Sequence, residues 1–332
     1  MSGQNLLPEA FSHIYVENRA FGYEMTEKIL SSFGKSTIVR ISHYKDVFNR
    51  PGQDPYLQNK SKNLIIAVND GNRFFEGSPV CQDFGFDRFY YAESAMNCPF
   101  SCDYCFLKGM YHTANVVVFV NSDDYLEECD RMLKDGPLYL CASFDTDLAA
   151  LSGICEWKKI WERYASVRED LTLELRTKAC VNEFVAKDNV IYAFTLSPEE
   201  IIRRFERNTP SLDSRIRCIN KALESGATVR LCFDPMIYIK DYELCYNEFA
   251  DKILEKIDIT EIKDFGIGTF RISSDYLSSL RAACPGSAAV LFPFDREDGF
   301  CVYPKDLRTK MTGIIENRLK KAGCGERVFV MS

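Results

Sequence analysis

Cys98, Cys102 and Cys105 stand together in Asn97-Cys98-Pro99-Phe100-Ser101-Cys102-Asp103-Tyr104-Cys105-Phe106, a C-x3-C-x2-C spacing with an aromatic directly before the third cysteine. Thiolates hold iron–sulfur clusters, and a loop of closely spaced cysteines can wrap one. Three protein thiolates leave one iron of a [4Fe–4S] cluster open to a small chelating molecule. Two plainer readings stay open. Zinc usually takes two C-x2-C pairs or added histidines, and of the three histidines only His112 is near in sequence. The other is three buried structural cysteines.

The chain has 332 residues, enough for a full core. Its 46% hydrophobic and 27% charged residues are ordinary for a globular protein. No run of about 18 uncharged apolar residues indicates a membrane span. The N-terminus lacks a basic region followed by an apolar stretch, so a secretory signal is not expected and a cytoplasmic location is. Fourteen cysteines in such a chain favour metal binding or catalysis over disulfides for any tight cluster. Cys180, Cys218, Cys232, Cys245 and Cys301 sit singly among apolar residues and read as small buried hydrophobes. A net charge of −7 argues mildly against nucleic acid without excluding a local basic patch.

The elements that must position the cysteines follow from the hydrophobic rhythm. Residues 1–85 read as a small α/β region: a helix over Ala20–Phe33 stopped by Gly34, strands at Ser36–Ile41 and Asn63–Val68, and a proline-containing loop between them. From 86 onwards a short strand at Arg88–Ala92 leads into the cysteine motif, and Val116–Val120 is another β-branched run. Strands at 138–142, 171–176, 190–195, 228–233 and 262–267 then alternate with helices, among them a short one near Val181–Ala186. Lys305–Lys321 reads as a last helix and Arg327–Met331 as a last strand. This alternation predicts a parallel sheet that closes partly or wholly into a (β/α) barrel over 86–332, with the site at the strand C-termini.

The cysteine spacing resembles that of the radical S-adenosylmethionine superfamily. The resemblance implies that the open iron binds the amino and carboxylate groups of S-adenosylmethionine, and that one electron releases a 5′-deoxyadenosyl radical. A closer resemblance, to the spore photoproduct lyase family, runs through HIYVENRAFGYEMTEKIL, NRPGQDPYLQNKSKNLIIAV, FVNSDDYLEECD, LRTKACVNEF, IYAFTLSPEEII, NTPSLDSRIRCINKALESGA and FDPMIYIKDYE, in order. It implies a partial (β/α) barrel, a thymine–thymine adduct in DNA as substrate, and an electron donor such as ferredoxin or flavodoxin. It further implies that Tyr104 is the aromatic before the last cysteine, that Lys178 lies near S-adenosylmethionine, and that Thr195 takes the place of a serine in the cofactor pocket, with Ser197 beside it at the strand end. Taken alone, these are an exposed lysine and strand-end hydroxyls.

Two departures stand out. The family returns hydrogen from a cysteine, and the best register places Ser143 there, with Cys141 two residues earlier and a layer deeper. Phe106 stands where the family has a tyrosine. They keep a second substrate, another lesion or a small molecule, in view, beside a non-enzymatic zinc or cluster protein that regulates or scaffolds. Asp145 and Asp147 either bind a polar group or cap a turn. Arg203, Arg204 and Arg207, and the basic last helix, either touch phosphates or form solvated faces. FGFDRFYY reads as core rather than a stacking platform.

Overall fold

The computed structural model describes residues 11–78 and 80–331; residues 1–10 of the expected N-terminal region lie outside them. The chain begins with β1 (His13–Glu17), α1 (Glu24–Ser32), β2 (Thr37–Ile41) and β3 (Leu64–Ala67). β1 lies between β2 and β3, and all three run parallel. β4 (Phe74–Glu76) pairs antiparallel with β5 (Phe89–Ala92), which leads into the cysteine loop. After that loop β6 (Val116–Phe119) turns back and pairs parallel with β3. Every residue of β6 is fully buried, which suits an unbroken β-branched run in a parallel sheet covered on both faces. The cysteine loop is thus strung between two sheets, and residues on both sides of position 85 enter each of them.

The larger sheet continues through α2 (Ser122–Leu133), β7 (Leu138–Cys141), α3 (Trp157–Ser166), β8 (Leu171–Thr177), β9 (Val190–Thr195), α4 (Glu199–Phe205), α5 (Leu212–Glu224) and β10 (Thr228–Met236). It ends with α6 (Tyr242–Lys256), β11 (Asp264–Thr269), α7 (Ser274–Ala283), α8 (Lys305–Lys321) and β12 (Val328–Met331). The strand order is β12-β11-β10-β9-β8-β7-β5-β4, parallel from β5 to β12. Among the described residues β12 does not pair with β4, so the barrel is partial. The β4–β5 connection carries Phe84 across to β12, 5.2 Å from the Phe329 ring and 3.2 Å from the Arg230 guanidinium.

Local chemistry explains the boundaries. Ser211 caps α5 by accepting from the Ser214 N–H. The helix closes when Gly226, at φ +76°, donates to Leu223 and Ala227 donates to Ala222. The helix expected near Val181–Ala186 does not form. Its backbone groups are taken by distant side chains: Val181 N–H donates to Cys218, Val185 N–H to the Tyr192 hydroxyl, and Lys158 donates to the Glu183 carbonyl. Cys180, expected buried, is exposed on that segment.

Candidate active site

Asn97 enters the cysteine loop at φ +68°, a left-handed conformation that asparagine tolerates. Its side chain accepts from Cys98 N–H and donates to the carbonyls of Thr113 and Asn115, pinning the loop's start to the approach of β6. Lys62 lies beneath and donates to three successive carbonyls, of Cys98, Pro99 and Phe100, at 2.8–3.0 Å. Those carbonyls therefore face Lys62 rather than the thiols. The loop's far end is sewn to the chain after α4: Asp103 N–H donates to Phe205, and Cys102 pairs with Glu206 in a two-residue antiparallel ladder. Burial pushes the Cys98 thiol well up and Cys102 to about 12, so both stay protonated unless a metal displaces the proton. The three thiols sit on one loop with no histidine among the residues that pin it, a soft all-sulfur donor set of the kind iron–sulfur clusters take.

Glu206 is the hub of this site. Its buried carboxylate accepts from the Tyr104 hydroxyl, from Ser197 Oγ at 2.7 Å and from Arg215. Arg215, fully buried, also holds the Thr195 carbonyl at 3.1 Å. Lys178 Nζ lies 5.1 Å from the Tyr104 ring centre. Burial opposes a charge on Glu206, yet Lys178 and Arg215 hold its carboxyl down at about 2. Burial and that charge push the Tyr104 phenol far up, so it keeps its proton. Tyr104, Lys178, Thr195 and Ser197, scattered over the sequence, are thus gathered beside Cys102 at the C-terminal ends of β8 and β9. Strand C-termini are where a barrel of this kind carries its chemistry.

β7 stops at Cys141, so Ser143 lies on the following turn rather than on the strand. Cys141 Sγ, buried, faces Glu174 Oε1 at 3.5 Å, and Glu174 in turn accepts from Tyr139 and Arg230. Burial and Glu174 push its thiol far up. Above it Ser143 Oγ, Thr146 Oγ1 and both Asp145 oxygens are buried without a hydrogen-bond partner among the described residues. Burial lifts the Asp145 carboxyl to about 7 and Glu93, at the end of β5, to about 8. Asp147, by contrast, is fully engaged with Thr177, Lys178 N–H and Ala150 N–H, and caps its turn. Phe75, Tyr91, Phe144 and Phe106 form a half-buried file of rings spaced 4.4–5.4 Å, ending on the cysteine loop.

The spore photoproduct lyase family model matches residues 9–274. The chain belongs to the spore photoproduct lyase family. The spore photoproduct lyase of Bacillus subtilis (strain 168) is 22% identical over 72% of each chain, and that of Clostridium acetobutylicum is 23% identical over 86% of this chain and 85% of its own. Among solved structures, a spore photoproduct lyase complexed with dinucleoside spore photoproduct has a TM-score of 0.81 at 17% identity, covering 98% of this chain and 99% of that one. A doubly substituted lyase with bound AdoMet and dinucleoside spore photoproduct matches equally well. The fold is that of the family's partial barrel.

Within this member of the family, three residues that organise the loop had no mark in the sequence. Lys62, Glu206 and Arg215 reach it only through tertiary contacts, and no spacing flags them. The basic stretches resolve differently from one another. Arg203 and Arg204 pair with Glu200, Arg318 with Asp251 and Lys320 with Glu316 on solvated faces, while Arg308, largely buried, pairs with Glu297. Arg207 stays exposed, 3.7 Å from Asp103 on the cysteine loop. From the FGFDRFYY segment Phe84, Phe86 and Phe89 are core around Tyr139, while Tyr91 joins the half-buried ring file.

Proposed function

We propose that this chain is a radical S-adenosylmethionine lyase that splits the ultraviolet-induced thymine–thymine adduct of DNA, working in the cytoplasm and reduced by a ferredoxin or flavodoxin. The observation that carries the reading is the seating of the cysteine loop on Glu206, which brings three thiols, Tyr104, Lys178 and Ser197 to one strand-end site in this family's fold. The AdoMet and dinucleoside named in the solved relatives support the same pair of ligands here.

Cys98, Cys102 and Cys105 would hold the [4Fe–4S] cluster. When bound, cluster and S-adenosylmethionine together supply a 5′-deoxyadenosyl radical able to take a hydrogen atom from the lesion. Lys178 offers its ammonium to the cofactor carboxylate as a point charge, and Glu206 and the Tyr104 face hold that ammonium in place. The Tyr91–Phe144–Phe106 rings offer a stacking face to a thymine; base stacking on aromatics is worth about 1–3 kcal/mol per base. Asp145 and Ser143, unpartnered, supply an acceptor and a donor for the polar edge of a base. Cys141 keeps its S–H because burial and Glu174 disfavour the thiolate, so a hydrogen atom is available there. Ser143 cannot replace it, since an O–H bond yields hydrogen far less readily.

The test is thymidine release from a synthetic thymine-adduct dinucleotide by the anaerobic, reconstituted and reduced protein, with 5′-deoxyadenosine followed in the same run. Intact thymidine establishes the reading. A second reading, the same radical chemistry on another substrate, is favoured by Ser143 and Phe106 where the family has hydrogen donors. It is the result if 5′-deoxyadenosine forms without thymidine.

A further inference from the structure

A cleft of about 160 Å³ opens beside the cysteine loop, apart from the barrel mouth. Its walls include Tyr56, Lys60, Asp103, Lys108, Arg207 and Ser287; none of Ser143, Lys178 or Thr195 lines it. Ser101 and Asp103, the residues on either side of Cys102, form its floor, so one residue's thickness separates the cleft from a thiol of the loop. Ser101 Oγ is tied to Asn59 at 3.2 Å, fixing that floor to the short helix at Pro55–Gln58.

The charge of this cleft runs against that of the molecule. The whole chain carries −7, yet here three cations meet one carboxylate. Beside them two large apolar side chains face solvent, Tyr56 at 42% and Leu57 at 55% exposure. Lys60 reaches over the Tyr56 ring at 5.5 Å. Ser287 Oγ is buried without a partner among the described residues. An apolar centre of tyrosine and leucine ringed by lysine and arginine is the make-up of a protein interface, in which aromatic anchors bind and charges steer. A nucleic-acid backbone would leave the exposed Leu57 unmatched.

We propose that this cleft is the docking surface for an acidic one-electron donor protein carrying a low-potential flavin or iron–sulfur group. The proposal rests on the reading above that the cysteine loop holds a redox group. In the step itself the donor is oxidised by one electron, the group held by Cys98, Cys102 and Cys105 is reduced by that electron, and no bond forms or breaks. The acidic donor is drawn by Lys60, Lys108 and Arg207, and Tyr56 buries against it beside the loop, with the exposed Leu57 next to it on the same short helix.

The test is binding of a purified acidic flavodoxin to the anaerobic holoprotein, followed by fluorescence anisotropy at several salt concentrations. The double variant Lys60→Glu with Arg207→Glu should bind roughly tenfold or more weakly, since like charges now face each other. The parent's affinity should fall steeply with salt. Leu57→Ala should weaken binding at every salt concentration. With dithionite as reductant each variant's 5′-deoxyadenosine rate sets its own baseline, and Lys60→Glu, clear of the cysteine loop, should keep the parental rate; relative to those baselines the charge variants should be slow with reduced flavodoxin. Equal flavodoxin affinity in parent and double variant overturns the proposal. So does a double variant that loses affinity for a duplex oligonucleotide while keeping flavodoxin, because the cleft is then a nucleic-acid surface. Failure of thymidine release with flavodoxin binding altered as expected removes the lesion as substrate and leaves the docking surface standing.

Discussion

Replacing Glu206 with glutamine keeps its shape and removes one buried negative charge. The carboxamide oxygen can still accept from Tyr104 and Ser197. Its NH2 group, however, is turned on Arg215, which then meets a donor where it had an acceptor. Arg215 keeps its contacts with the carbonyls of Thr195 and Pro210 and with Thr209 Oγ1, but loses its counter-charge in a site where neither partner is more than 1% exposed. Breaking a buried pair by removing one partner costs about 3–5 kcal/mol, a large share of the roughly 5–15 kcal/mol that holds a domain folded. With a urea slope on the order of 2–3 kcal/mol per molar, the unfolding midpoint of E206Q should fall by roughly 1–2 M. Adding Arg215→Met removes the orphaned cation, and the double variant should recover at least half of the loss, because a buried pair replaced as a whole is close to neutral. Urea unfolding followed by far-ultraviolet circular dichroism measures both. A cost below about 1 kcal/mol for E206Q, or a double variant no more stable than E206Q alone, refutes Glu206 as the charge that holds the site together.

Three further outcomes follow from the same geometry. In ligand-free protein Asp145, held up at about 7 by burial, ionises near ~3.9 once unfolded. Its contribution to stability is therefore whole below about pH 4 and is lost as pH rises through 7; Asp145→Asn should remove on the order of 2–3 kcal/mol of the stability lost between pH 5 and pH 8, and an unchanged pH profile would show that Asp145 is not a buried acid. Lys178→Ala should weaken S-adenosylmethionine binding about tenfold or more, the worth of a charge-assisted contact, while the visible absorbance of the cluster stays. Equilibrium dialysis giving the parental affinity would take Lys178 out of the cofactor site. Cys141→Ala leaves Glu174 its contacts to Tyr139, Arg230 and Arg176, so the fold should hold while product shifts from thymidine to side adducts with 5′-deoxyadenosine still formed; clean thymidine from this variant would assign hydrogen return elsewhere.

Much of this site could be read before the chain was folded. The three cysteines declare themselves by spacing, since a loop that wraps a cluster must offer its thiolates close together. The strands and long helices from 138 onwards declare themselves by runs of apolar residues, because a parallel sheet covered on both faces needs nearly unbroken hydrophobic strands. Pattern alone could not say which sheet takes which strand: Val116–Val120 reads only as a β-branched run, and Val116–Phe119 joins the sheet of β1 to β3 because pairing is decided by the edge that β3 leaves free. Nor could it separate Asp145 from Asp147, two residues apart on one turn. Thr177 and two backbone N–H groups engage the second, and nothing among the described residues engages the first. Lys62, Glu206 and Arg215 carry no local signal, for a buried charge is placed by partners distant in sequence and only folding brings those partners within reach. The sequence by itself determined that three cysteines share one short loop at a spacing suited to a cluster. The tertiary structure decided which cations and hydroxyls face it, because their positions depend on packing between elements rather than on any spacing along the chain.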